Sequence, residues 1–150
     1  MKPVRTILHP SDFSPASARA CAMAVALARQ NRARLIVVHV LHPVVPAATE
    51  GFVSPGTYAA IVEAGRRDAR TRLDAVVARA RKAGVRAASL LVDGLPHEQI
   101  VRAVRSKRAD LVVLGTHGRS GLARLVLGSV AERVIGLARC PVLTVRGRRG

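Results

Sequence analysis

The stretch "ADLVVLGTHGRSGLARLVLGSVAERVIGLA", residues 109–138, joins three kinds of chain behaviour. "ADLVVLG" is a short β-branched apolar run, which predicts a strand buried on both faces. "GSVAERVIGLAR" spaces its apolar residues at helical intervals and predicts a helix. Between the two stand Gly115, Gly118, Gly121 and Gly128, with Arg119 and Arg124 among them. Glycine has no Cβ to obstruct an approaching anion, and it takes positive φ about as readily as negative. Successive N–H groups in such a loop can turn inward as an anion nest. The N-terminus of the following helix adds free donors and the positive end of its dipole. The arrangement fits a loop that holds phosphate. It also fits a purely structural loop, because "SVAE", Ser129 to Glu132, has the form of a capping box in which the two side chains satisfy helix N–H groups reciprocally. It is neither a Walker A loop, which needs Gly-Lys-Ser/Thr, nor GxGxxG.

Outward from this stretch, strands and helices alternate. "VRTILHP" predicts a first strand ending at Pro10. Ser14 is a good N-cap and Pro15 suits the first helical position. In the helix that follows, Ala18, Cys21, Val25 and Ala28 recur near a period of 3.6. "ARLIVVHVL" is a second strand, and "HPVVPAATEGFVSPG", residues 42–56, a long loop. Residues 57–84 form a long amphipathic helix closed by Gly84. "RAASLLVD" is a third strand, "LPHEQIVRAVRSKR" a helix with Pro96 near its start, and "PVLTVR" a fifth strand.

Strict alternation predicts a single α/β domain over residues 1–150, with an open parallel five-stranded sheet and helices on both faces. Right-handed crossovers leave few topologies. We take order 3-2-1-4-5, although periodicity does not separate it from 2-1-3-4-5. Ligands of open parallel sheets sit beyond the carboxyl ends of the strands, where the order reverses. In order 3-2-1-4-5 that crevice lies between strands 1 and 4. It brings "HPSDFS" opposite "GTHGRSG", so that Asp12 faces Gly115.

Composition narrows the function. Hydrophobic residues make up 49% of the chain and the mean hydropathy is +0.22, which argues against disorder. No apolar run approaches the roughly 20 residues of a membrane span, and the N-terminus lacks a signal-peptide core. A cytoplasmic protein without a membrane partner is expected. Cys21 and Cys140 have no metal spacing and read as small buried fillers. His9, His39 and His42 fall near neighbouring strand ends but lack zinc-like partners, so no structural metal is expected. The net charge is +16, from 25 basic residues (22 arginines and three lysines) against nine acidic ones. Such a field attracts polyanions. Aromatic residues are only 2%, however, too few for single-strand stacking platforms. The arginines are also scattered along the chain rather than gathered in one block. They read as solvated surface rather than as a dedicated nucleic-acid site.

Gly115-x2-Gly118-x9-Gly128-Ser129 resembles the G-x2-G-x9-G-S/T signature of the ATP-binding branch of the universal stress protein family. The likeness covers nearly the whole chain. "ILHPSDFSPAS" resembles the family's first strand and aspartate turn, "LIVVHVLHP" its second strand, and "GLPHEQIVRAV" its G-x-P followed by a helix. The run from Asp110 to Arg146 is similar to the family consensus throughout. His97 departs from it, standing where the family often has a small residue.

The resemblance implies a domain of order 3-2-1-4-5 that holds ATP, with Mg2+ or Mn2+ as accompanying cation, in the crevice described above. It implies that Asp12 lies near the nucleoside and a metal-bound phosphate, and that Val40 meets the adenine through its backbone. Leu114 and Gly115 would line the nucleoside, with Pro10 and Thr116 beside them. Gly118, Arg119, Gly128, Ser129 and Val130 would surround the phosphates, largely through N–H groups and the Ser129 hydroxyl. It further implies a homodimer through Pro141 to Arg146, since an exposed edge strand is otherwise an aggregation risk. It implies a stress-response signalling role with an unidentified downstream protein. His117 and Asp12 are the obvious candidate bases and nothing positions them, so at most slow ATP hydrolysis or autophosphorylation is expected. Two rival readings are a basic interaction protein for nucleic acid or another acidic partner, and an enzyme that adenylates a small substrate.

Overall fold

A computed structural model describes residues 3–42, 53–116 and 127–146. Among them, five strands alternate with four helices: β1 (Thr6–Pro10), α1 (Pro15–Asn31), β2 (Arg34–Leu41), α2 (Pro55–Lys82), β3 (Ala87–Asp93), α3 (Pro96–Ser106), β4 (Leu111–Gly115), α4 (Ser129–Leu137) and β5 (Val142–Val145). All strand pairings are parallel and the order is β3-β2-β1-β4-β5, which decides between the two topologies that periodicity leaves open.

Successive strand side chains point to opposite faces, so a strand covered on both faces must be apolar almost throughout. Ile7, Leu35, Val37 and Val113 face α1 and α2. Leu8, Ile36, Val38, Val112 and Leu114 face α3 and α4. At the amino end of the central pair, the Asp110 carboxylate accepts the backbone N–H groups of Arg5 and Thr6, both at 3.0 Å. This residue therefore serves as a clasp, and β4 starts at Leu111 rather than at Ala109. No helix among the described residues is long and apolar enough to cross a membrane.

The start of α1 is the one expected: Ser14 Oγ accepts from Ser17 N at 3.1 Å and Pro15 opens the helix. Its buried face shares only Ala28 with the period read from the sequence. Ser17, Ala20, Ala24 and Ala28 turn inward, while Ala18 is exposed and Cys21 and Val25 are half-buried. The sheet takes the smallest side chains because the helix lies close to it. A Cβ on Gly115, at the end of β4, would stand 3.1 Å from the carbonyl carbon of Ala16 in the first turn of α1. Gly115 is thus demanded by helix–strand packing. Cys140 is half-buried like Cys21, and burial pushes both thiols up.

α2 begins earlier than its sequence suggests. Ser54 Oγ accepts from Thr57 N at 3.2 Å and Pro55 takes the first helical position, so "SPG" belongs to the helix and not to the loop. The helix ends at Lys82, and Gly84 follows at φ +84°, as a left-handed helix stop requires.

Candidate functional site

β1 pairs with β2 as far as Pro10↔Val38 but with β4 only at Ile7↔Leu111 and Leu8↔Val112. Proline has no N–H to donate. The Val113 carbonyl accepts from the His9 ring instead, at 2.8 Å from Nδ1. The two central strands therefore part beyond Leu8, at the point where the strand order reverses. The parting opens a cavity of about 720 Å3, within the range of small-molecule sites.

Pro10 and Asp12 enter the cavity wall after β1, and Val40 near the end of β2. Leu114, Gly115 and Thr116 come from the end of β4, and Gly128, Ser129 and Val130 from the start of α4. Gly118 and Arg119, with His117, lie outside the described residues. The ends of the glycine stretch meet at the cavity, because Gly128 N donates to Thr116 O at 2.8 Å.

This bond also decides the start of α4. Gly128 is the N-cap, at φ −62° and ψ 146°, and among the described residues no side chain caps the helix. The capping box is not formed: Ser129 is already the first helical residue, one position too late to cap, and Glu132 N bonds to Gly128 O at 2.9 Å. The first N–H groups of a helix have no acceptor within it. Here they belong to Ser129, Val130 and Ala131, all of which line the cavity. The positive pole of α4 thus lies at the cavity wall, with Glu132 in its first turn and no side-chain cap among the described residues.

The opposite wall is held by a turn in which sequence reading singles out Pro10 and Asp12 for the site and Ser14 as a helix cap. Asp12 Oδ1 accepts from Ser14 N at 3.0 Å, and Ser11 N donates to Val38 O at 2.8 Å. Phe13 sits between them at φ +62°, a strained conformation for a bulky residue. It is kept there by stacking on His39 with ring centroids 4.4 Å apart. The His39 Nδ1–H donates to Ser11 O at 2.7 Å, and the Arg72 guanidinium lies 5.8 Å from the Phe13 ring centre. Phe13 and, from α2, Gly65 and Asp68 line the cavity and were missed in the sequence, and His39, weighed there only as a metal ligand, lines it too. The aromatic next to Asp12 was the available signal for Phe13. Nothing local to α2 marks Gly65 or Asp68.

Beneath this wall His9 is fully buried. Its Nε2 lies 3.5 Å from Ser17 Oγ, which donates to Ser11 Oγ at 3.0 Å. Burial lowers its pKa from 6.5 to about 4, against the opposing pull of the Val113 carbonyl and Asp12. The ring is therefore neutral near pH 7. Among the described residues no three His, Cys, Asp or Glu side chains gather to hold a metal.

The cavity thus joins an apolar part, walled by Val38, Val40, Ile100 and Leu114, to a polar part with Asp12 and the bare start of α4. It can take a flat apolar ring at one side and an anion at the other. The chain matches the Universal stress protein family model over residues 3–146. Universal stress protein MJ0531 of Methanocaldococcus jannaschii is 36% identical over 142 residues, which are 95% of this chain and 82% of that protein. The solved structure of MJ0577 from the same archaeon superposes with a TM-score of 0.85 at 25% identity, covering 99% of this chain and 100% of that one. The universal stress protein from Archaeoglobus fulgidus, solved in complex with dAMP, superposes at 0.65 with 25% identity, covering 97% and 99%. With its sheet order and its split between β1 and β4, the chain belongs to the universal stress protein family.

Proposed function

We propose that the cavity binds an adenine nucleotide, ATP in the cell, and that the protein is a nucleotide-responsive signalling module of the cytoplasm rather than a metabolic enzyme. The start of α4, without a side-chain cap among the described residues, carries this reading, because it puts the first N–H donors of the helix and its positive pole into a cavity that also offers an apolar wall. The dAMP held by the Archaeoglobus relative supports it. The base packs between Val38, Val40 and Leu114, and the ribose lies near Asp12 and Gly115. The phosphates meet the N–H groups of Ser129 and Val130, the Ser129 hydroxyl, and Gly118 and Arg119 of the loop. A divalent cation fits as a passenger of the triphosphate with Asp12 as one ligand, since such ions take few protein carboxylates when phosphate oxygens are present. Asp68 is less suited, as its carboxylate holds Arg72 at 3.0 Å.

Isothermal calorimetry with ATP and Mg2+ tests the reading, together with mass spectrometry of ligand released from gently purified protein. The expected result is saturable binding of ATP and its loss in Gly118→Asp. Failure of the wild type to bind ATP, AMP or dAMP would overturn it.

We also infer a homodimer through β5. Among the described residues β5 has one strand neighbour, β4, and Leu143 is exposed on it. The carbonyls of Pro141 and Val145 face β4, accepting from Val112 N and Thr116 N. Strand alternation then puts the polar backbone groups of Val142 and Thr144 on the open edge. Antiparallel pairing with a second copy would satisfy them. Sedimentation at micromolar concentration is expected to give twice the chain mass for the wild type. Thr144→Pro, which removes an outward donor and spares the β4 ladder, is expected to give the monomer. A monomeric wild type would refute the interface.

A further inference from the structure

Because the strands are parallel, one end of the sheet collects the amino ends of all strands. At that end every strand is entered past an arginine. Arg86 directly precedes β3, Arg34 opens β2 and Arg5 directly precedes β1, while Arg108 and Arg139 stand three residues ahead of β4 and β5. In the observed order these five form a row. At about 4.8 Å per strand it is about 19 Å long. All five side chains are exposed. They are far apart in sequence, and the parallel register alone makes them neighbours.

The contacts of Arg34 and Arg86 hold two members of the row without neutralising them. Arg34 donates from Nε to Thr6 Oγ1 at 3.1 Å and from Nη2 to Lys107 O at 3.0 Å. Arg86 Nη2 donates to Arg32 O at 3.2 Å. These partners are a hydroxyl and carbonyls, so the guanidinium charges remain. Asp110 is the one described carboxylate that the register places here, and its Oδ2 accepts the N–H groups of Arg5 and Thr6. The helix carboxyl ends bring only about −0.5 charge each. The last turns of α1 and α2 outweigh that with Arg29, Arg79, Arg81 and Lys82.

The backbone supplies an independent sign. Arg32 and Arg108, which follow α1 and α3, stand at φ +52° and +51°. Glycine is the residue suited to a left-handed helix stop, and after α2 Gly84 fills that place. At the other two stops the chain carries a cation against the preference of its own backbone, and both lie at the basic end.

We propose that this end of the molecule binds the phosphate backbone of duplex nucleic acid without reading its sequence. A guanidinium fork pairs with two phosphate oxygens at once, which suits a basic set made almost wholly of arginine. A row of about 19 Å lies along a length of duplex carrying about 11 phosphates. The described aromatics, Phe13 and Tyr58, belong to the opposite end of the molecule, so single strands find no stacking platform here. Of the exposed large apolar side chains among the described residues, Ile135 and Leu137 alone come near, at the α4 corner. An interface with protein or an inserted membrane contact would call for more.

Fluorescence anisotropy with a labelled DNA duplex of about 20 base pairs, in about 50 to 300 mM NaCl, tests the proposal. With five or six phosphate contacts, the logarithm of the binding constant is expected to fall against log salt with a slope near −5. The double variant Arg32→Gly/Arg108→Gly should melt no lower than the wild type, because glycine relieves both left-handed residues. Its slope should be shallower by about 2, and its affinity at 0.1 M salt should drop roughly 50-fold. Saturating ATP should change none of this, so the result is readable whatever the cleft binds. Unaltered binding by the double variant overturns the proposal. So does tighter binding to single strands, or to phosphatidylserine vesicles, than to duplex.

Discussion

Replacing Gly128 with aspartate is expected to weaken ATP binding at least a hundredfold while leaving the protein as stable as the wild type. Gly128 is the N-cap of α4 and its backbone is extended, at φ −62° and ψ 146°. N-cap residues adopt that conformation, and aspartate is among the best of them. The new carboxylate would accept from Val130 N, a donor assigned above to phosphate, or from the neighbouring Ala131 N, and stabilise the helix by a few tenths of a kcal/mol. To the nucleotide it is a fixed like charge. At about 5 Å and an effective dielectric near 20, a unit charge repels another by about 3 kcal/mol, more than a hundredfold in affinity. Gly128→Asn isolates the charge, since its side chain takes the same N–H group and stays neutral; a loss near tenfold is expected there. Calorimetry gives both affinities and thermal melting the stabilities. If Gly128→Asp bound ATP within threefold of the wild type, the start of α4 would not be where the phosphates sit.

The same helix shows how far local sequence reaches. "SVAE" has the spacing of a capping box, yet the helix begins one residue before it needs to, because a bond from Gly128 N to Thr116 O closes the loop there. No pattern within "SVAE" carries that bond. In α1 every second position from Ala16 to Ala28 is alanine, seven of its 17 residues, so periodicity is faint, and the inward face was set by how closely β4 approaches at Gly115. The alternation of strands and helices was legible because β1, β2 and β4 are apolar on both faces. The meeting of Asp12 with the end of β4 followed from topology alone. Phe13 was not legible as part of the wall. Its left-handed backbone depends on His39, a partner on β2 that only the fold brings within 4.4 Å. The arginine row was hidden for the same reason, being assembled from the entrances to five different strands.

His9 should make the protein acid-sensitive in a window that carboxylates do not share. Its ring is fully buried and donates to Val113 O where β1 and β4 part. In the unfolded chain the pKa is 6.5; in the folded protein it is about 4. Above pH 6.5 both states hold a neutral ring and the full stability is present. As pH falls below 6.5 the unfolded state takes up a proton that the folded state refuses, so stability declines until the folded ring titrates near pH 4. The linkage amounts to about 2 kcal/mol between pH 7.5 and 5, and about 3 kcal/mol when complete. Most Asp and Glu side chains titrate below pH 5, which leaves the upper window to histidine. Asparagine at position 9 keeps an N–H near Nδ1 for Val113 O and cannot take a proton. Urea unfolding at pH 7.5 and pH 5 should therefore show the wild type losing about 2 kcal/mol more than His9→Asn. The exposed or half-buried histidines are common to both proteins and cancel. Equal losses would mean that the buried ring accepts a proton without cost, and that the pin between the central strands is looser than its 2.8 Å bond implies.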